Sequence, residues 1–160
     1  MDNLVGNGVG LIHLVTALLA TGFGTAILIM KKGTKVHVRV GYAYVSSMVM
    51  MLATSFMLYR LFGHFGIFHF SSIASSLTLL GGMIPVIFKI PKKSWLDFHL
   101  GLMYWSVIGL YAAFASEVFT RIPNTPFFAM VGIATFVIIA AGGFFFKRYK
   151  GSWEQIQARQ

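Results

Sequence analysis

The chain alternates between long apolar stretches and short polar segments. The apolar stretches occupy residues 10–30, 40–62, 67–88, 98–120 and 127–146. Each is close to the ~20 residues that a helix needs to cross a hydrocarbon core ~30 Å thick. The pattern therefore predicts an all-α, polytopic membrane protein, with a four-helix transmembrane bundle and a fifth transmembrane helix.

Helix-capping residues place the starts of the second and fourth helices before the apolar stretches begin. Thr34 is a suitable N-cap for the second helix. The segment Ser94-Trp95-Leu96-Asp97 has the S-x-x-D form of an N-cap followed by an acid at the third helical position. The predicted helices then run over 10–30, 35–62, 67–88, 95–120 and 127–146. Residues 1–146 form a single transmembrane domain, and residues 147–160 form a cytoplasmic basic tail.

The amino-acid composition limits the kinds of metal and cofactor site that the chain can form. Of the 160 residues, 57% are hydrophobic and 11% are charged, against roughly 45–50% and about 25% in ordinary soluble domains. The chain has no cysteine, which excludes disulfides, thiolate metal sites, iron–sulfur clusters and covalently attached haem. Any metal or haem must therefore be held by His, Met or carboxylate side chains.

Basic residues set the predicted orientation. All but Arg60 and Arg121 fall in the first loop, the third loop or the tail, which lie on one side of the membrane. The residues on that side are Lys31, Lys32, Lys35, Arg39, Lys89, Lys92, Lys93, Lys147, Arg148, Lys150 and Arg159. The positive-inside rule makes this side cytoplasmic. We therefore expect the N-terminus outside and the C-terminus inside, in a bacterial inner membrane, with no role in nucleic-acid binding for the net charge of +9.

Four histidines alternate between the two ends of the predicted bundle. His13 and His69 lie near the outer ends of the first and third helices, and His37 and His99 lie near the inner ends of the second and fourth. With short connections, these pairs sit on diagonally opposed helices. Two imidazoles at one depth can supply both axial ligands of haem b, so the pattern predicts two haems roughly 20 Å apart. A histidine near a helix end can also simply reach the headgroups, which is the alternative for each residue taken singly.

Other polar side chains are weaker candidates. Arg39 at the inner level, and Arg60 and Arg121 at the outer level, are candidates for binding haem propionates. For Arg39 a role in topology alone is the stronger interpretation, whereas topology disfavours the outer pair. Glu117 either pairs with Arg121 one helical turn away or accepts a proton or contacts quinol as a catalytic group. His64, in an outer loop, is an alternative metal ligand. Three glycines, Gly24, Gly41 and Gly101, either admit a porphyrin or allow close helix packing.

A short set of motifs resembles an uncharacterised family of predicted bacterial membrane proteins, catalogued as a domain of unknown function. The motifs are His37-x3-Gly41-x2-Tyr44, His69, and His99-x3-Met103 leading to Arg121, within residues 10–125. Where the family has Arg directly after the first of these histidines, this chain has Val38. The resemblance implies fold and topology but no activity. The layout of histidines is also similar to that of cytochrome b561-type di-haem electron carriers.

Three functions are compatible with these patterns. The first is a membrane b-type, di-haem cytochrome-like protein, a transmembrane oxidoreductase that takes electrons from quinol or a soluble donor and passes them to an acceptor. The second is a haem-free metal-binding protein or proton-coupled transporter with an outer cluster of His13, His64, His69 and Glu117. The third is a small scaffold subunit of a homo-oligomer or larger membrane complex, with the histidines at interfaces.

Overall fold

The computed structural model describes residues 8–58 and 63–157, with side chains described as far as residue 151. Within this part the chain is all-helical, with α1 Gly8–Ile29, α2 Lys35–Ser55, α3 Ile67–Phe88, α4 Trp95–Phe119 and α5 Phe127–Gln157. All five are long and apolar enough to cross a membrane. The prediction of an all-α chain with five potential membrane spans is confirmed.

The starts of α2 and α4 lie where the capping residues predicted them. Thr34 is the N-cap of α2, and its hydroxyl accepts a hydrogen bond from the backbone N–H of His37 at 3.1 Å. Ser94 is the N-cap of α4, but its side chain makes no capping hydrogen bond. The boundary at Ser94 is therefore confirmed, whereas the expected side-chain cap is not formed.

Two helix ends differ from the prediction. α2 ends at Ser55 rather than at residue 62, because Met57 and Leu58 bond to carbonyls three residues back, which tightens the turn and closes the helix. α5 continues to Gln157 instead of stopping at residue 146. The apolar pattern marks where the hydrocarbon should end, and a helix whose backbone bonds are satisfied internally can continue past that point.

The helices form two compact units, Met1–Leu77 and Thr78–Gln160. In unit one, α1 and α2 pack together, and the buried residues of α1 recur every three or four positions, as on one helix face. These residues are Ala17, Ala20, Gly24 and Ile27. They are mostly small, which lets two helices approach closely in a membrane. The first part of α3 completes this unit.

Unit two contains the last part of α3 together with α4 and α5. The Tyr104 hydroxyl of α4 donates to the Gly142 carbonyl of α5 at 2.7 Å. Nearer the other end of the same helix pair, Ser116 Oγ lies 3.2 Å from Thr135 Oγ1. These two hydrogen bonds hold α4 against α5 at separate levels.

The side chain of Lys32 caps the C-terminal end of α1. The Lys32 ammonium donates to the Ile27 carbonyl, to that of Leu28 at 2.9 Å and to that of Met30 at 3.2 Å. Desolvation of this half-buried group lowers the pKa of Lys32, whereas the carbonyls favour its charged form. Lys32 therefore caps the C-terminus of α1 in addition to its predicted part in topology.

Candidate functional site

The His13 ring of α1 is held by α2. Its Nδ1 atom lies 3.1 Å from the Met51 carbonyl oxygen and 3.1 Å from Thr54 Oγ1. Because a carbonyl oxygen can only accept, Nδ1 must carry the proton. The Thr54 hydroxyl hydrogen is directed to backbone carbonyls of its own helix. In the neutral ring the lone pair is therefore on Nε2, which leaves that atom able to bind a metal.

His99 has the same arrangement in unit two. Its Nδ1 atom lies 2.9 Å from the carbonyl oxygen of Gly82 on α3, so Nδ1 is again the donor. Metal-binding histidines commonly donate the distal ring N–H to a backbone carbonyl, which sets the tautomer, orients the ring and raises its basicity. His13 and His99 both have this geometry.

His69 has the opposite arrangement. The backbone N–H of Gly66 donates to His69 Nδ1 at 3.1 Å, and the backbone N–H of His69 donates to the Gly66 carbonyl at 3.0 Å. Gly66 precedes α3 and His69 is its third residue, so this is the N3 half of a capping box. Since Nδ1 accepts, the neutral ring carries its proton on Nε2. The arrangement favours a helix-capping role for His69 over the predicted ligand role.

The remaining histidines differ in burial. His37 lies in the first turn of α2 and is partly buried. His64 is exposed, and its Nδ1 lies 3.1 Å from the Phe65 carbonyl oxygen, to which it donates. Neither is brought into a three-ligand group, because no cluster of three or more His, Asp or Glu side chains that could hold a metal occurs among residues 8–58 and 63–151. Glu117 belongs to unit two and the three outer histidines belong to unit one, so the outer cluster predicted for a haem-free metal site stays a prediction.

Glu117 and Arg121 form an ion pair on α4. Arg121 donates to Glu117 Oε1 at 2.7 Å, and the two side chains are 50% and 42% exposed, respectively. The interpretation of Glu117 as the partner of Arg121 is confirmed. An exposed pair of this kind contributes roughly 0–1 kcal/mol to stability, so it organises the helix end only weakly.

The structure brings His13 and His69 to the same end of α2. His13 contacts Met51 and Thr54, and the His69 ring lies 6.4 Å from that of Phe56, the C-cap of α2. His37 and His99 belong to different units, so their pairing stays a prediction. Arg39 is exposed, and Arg60 lies outside the described residues.

The partners of His13 and His99 are not predictable from the sequence. Thr54 and the carbonyls of Met51 and Gly82 orient the rings, yet nothing in their residue types distinguishes them. One signal was present: Gly81 and Gly82 form a glycine pair inside an apolar stretch, where small residues mark close helix contacts. An added Cβ at Gly82 would lie 2.8 Å from Met103 Sδ, which confirms a close approach of α3 and α4 beside His99.

Comparison with protein-family models, with curated proteins and with solved structures finds no match to this chain.

Proposed function

We propose that this chain is a membrane-embedded, b-type cytochrome-like protein that carries electrons across or within the bilayer, with His13 and His99 as haem ligands. One observation carries the proposal: each ring donates through Nδ1 to a backbone carbonyl of a neighbouring helix. This leaves Nε2 with the lone pair and fixes the direction of the ring. The two residues lie in different units, so each unit offers one such ligand.

Haem fits these residues better than a bare metal ion does. A protein-bound ion such as zinc needs three or four side-chain ligands, and the described side chains provide no such group. A porphyrin provides the four equatorial ligands of its iron, so haem needs only one or two axial ligands from the protein. Bound haem would supply one-electron chemistry, while the neighbouring helices orient the imidazoles of His13 and His99.

The proposed arrangement places α1 to α4 in a four-helix bundle, with the N-terminus outside and the C-terminus in the cytoplasm of a bacterial cell. The distribution of basic residues supports this orientation. The sequence pattern pairs His37 with His99 at the inner site. The outer site has His13 as its ligand, since the proton on Nε2 of His69 opposes ligation.

The exposed guanidinium groups differ in their suitability for haem propionates. Arg121 already pairs with Glu117, whereas Arg39 is exposed near the start of α2. Arg39 is therefore the better propionate partner of the two. The electron donor in this proposal is quinol or a soluble reductant.

The proposal is tested by absorption spectroscopy of the protein expressed with a haem precursor and purified in detergent. We expect a Soret band and sharp α-bands on reduction with dithionite. The variants His13→Asn and His99→Asn keep an amide N–H at the Nδ1 position but remove Nε2. Each variant should lose haem but keep the hydrogen bond to the carbonyl of the neighbouring helix. The control His64→Asn should lose no haem.

A colourless wild-type protein that is folded and monodisperse would exclude the cytochrome. Equal haem content in wild type and in both ligand variants would assign the haem to other residues. If the folded wild-type protein is colourless, the histidine–carbonyl hydrogen bonds would serve only to join helices, as expected for a scaffold subunit.

A further inference from the structure

Basic side chains gather at one end of unit two. The loop between α3 and α4 lies at the same end as the late part of α5, because Phe146 packs on Tyr104 and Trp105, two to three turns into α4. We call this region the basic end. Asp97, in the first turn of α4, is an exposed carboxylate at this end. Among residues 63–151, the exposed cations of the basic end are Lys89, Lys92, Lys93, Lys147, Arg148 and Lys150.

Lys89 is held in a strained conformation at this end. Its φ is 56°, in the left-handed region that costs a non-glycine residue on the order of 1 kcal/mol. The backbone N–H of Ile90 bonds to the Pro85 carbonyl at 3.3 Å, which is the bond of a Schellman ending with Lys89 where glycine is usual. The Lys89 ammonium lies 3.6 Å from the centroid of the Trp95 ring. The left-handed backbone conformation and the cation–π contact thus occur at the same residue.

Exposed apolar side chains lie next to these cations. On α3, Ile87 and Phe88 are 56% and 64% exposed, and on α5, Phe144 and Phe145 are 65% and 48% exposed. α5 has 31 residues and is therefore roughly 46 Å long, against a hydrocarbon core of ~30 Å. The cations at residues 147–150 of α5 can therefore reach headgroup phosphates, while Phe144 and Phe145 remain beside the acyl chains.

We infer that the basic end binds an anionic phospholipid. The phosphate contacts the lysines of the α3–α4 loop and the cations of α5, and the acyl chains lie along the exposed apolar residues of α3 and α5. A soluble anion would use only the cations, whereas a lipid uses both surfaces. This inference does not depend on the haem proposal, since none of its residues is a proposed ligand.

The test measures the thermal stability of the full chain in detergent as lipid is added. Phosphatidylglycerol should raise Tm, and phosphatidylcholine with the same acyl chains should not. The variant Lys92→Gln/Lys93→Gln should weaken the apparent affinity for phosphatidylglycerol roughly tenfold or more. The control Lys31→Gln/Lys35→Gln removes the same charge from unit one and should keep nearly the wild-type affinity.

A second variant separates lipid binding from folding. Lys89→Gly relieves the left-handed strain and removes the cation, so it should keep or raise Tm without lipid while weakening the response to phosphatidylglycerol. Equal weakening by the two double variants would overturn the site, because it would reflect only general surface charge. An equal Tm rise with glycerol phosphate would overturn the lipid as occupant, and so would equal responses to the two phospholipids.

Discussion

The chemistry of a buried imidazole depends on what its Nδ1 atom contacts. A carbonyl at Nδ1 fixes the proton there and leaves Nε2 as a ligand, whereas a backbone N–H at Nδ1 moves the proton to Nε2. His13 and His99 contact carbonyls, and His69 contacts the N–H of Gly66. Three histidines that look equivalent in the sequence are thus chemically of two kinds.

Two substitutions at His69 separate capping from ligation. In His69→Leu, the buried N–H of Gly66 loses its acceptor, at a cost of about 1–3 kcal/mol. In His69→Asn, the side-chain oxygen takes the place of Nδ1, so most of that stability should be retained. Unfolding in detergent measures the difference, and haem content should be unchanged in both variants. Equal loss of haem in both, with little change in stability, would instead make His69 a ligand.

At the residue level, the sequence predicted which groups are unusual but not their partners. Five histidines and Glu117 stand out because ionisable groups are costly in a membrane. The pairing of Glu117 with Arg121 was predictable, since both lie on one helix at a spacing of four. The contacts of His13 with Met51 and of His99 with Gly82 span 38 and 17 positions in the chain. Such contacts depend on helix packing, which no local pattern encodes.

At the level of the helix, the predicted spans were close to those found because hydropathy and capping report real physical boundaries. The prediction for α3, 67–88, matches the structure, and the starts of α2 and α4 follow their capping residues. The ends of α2 and α5 were wrong for opposite reasons. α2 closes early through local turn bonds, and α5 continues because a helix does not need an apolar environment to persist.

The contact between α3 and α4 gives a prediction at this level. Gly82→Ala would place a Cβ 2.8 Å from Met103 Sδ and 3.2 Å from the Met103 backbone nitrogen. The backbone atom cannot move aside cheaply, so we expect destabilisation of about 1–3 kcal/mol and displacement of the carbonyl that His99 contacts. Thermal unfolding in detergent and the His99 side-chain NMR signals measure the two effects.

Gly101→Ala is the matched control, because nothing lies within 4 Å of an added Cβ there. It should be neutral or stabilising by up to roughly 1 kcal/mol through helix propensity. Gly101 and Gly41 were predicted either to admit a porphyrin or to allow close helix packing, and nothing lies within 4 Å of an added Cβ at either position. If Gly82→Ala and Gly101→Ala behaved alike, the close packing of α3 on α4 would be contradicted.

At the level of the whole molecule, the sequence predicts spans more readily than packing. In a membrane protein both the lipid-facing and the buried surfaces are apolar. Phe136, 74% exposed, and Val107, 1% exposed, are both apolar residues, so residue type does not distinguish their environments. Small and hydroxyl residues carry more information, because Ala20, Ser106 and Ser116 are almost fully buried. A pattern of such residues would have been a better guide to helix contacts than hydropathy.

The orientation of the chain in the membrane was predicted from the distribution of its basic residues. It can be tested directly because the sequence has no cysteine. Single cysteines can be introduced at Ser94, before α4, and at Thr125, in the connection before α5. Both replacements leave the charge unchanged and therefore do not disturb the positive-inside signal. In intact cells, a membrane-impermeant maleimide should label Thr125→Cys and not Ser94→Cys. After lysis both should react, which is the control for accessibility. The reverse pattern in intact cells would place the basic loops outside, and the charge distribution would then need the anionic lipids of the outer leaflet as its explanation.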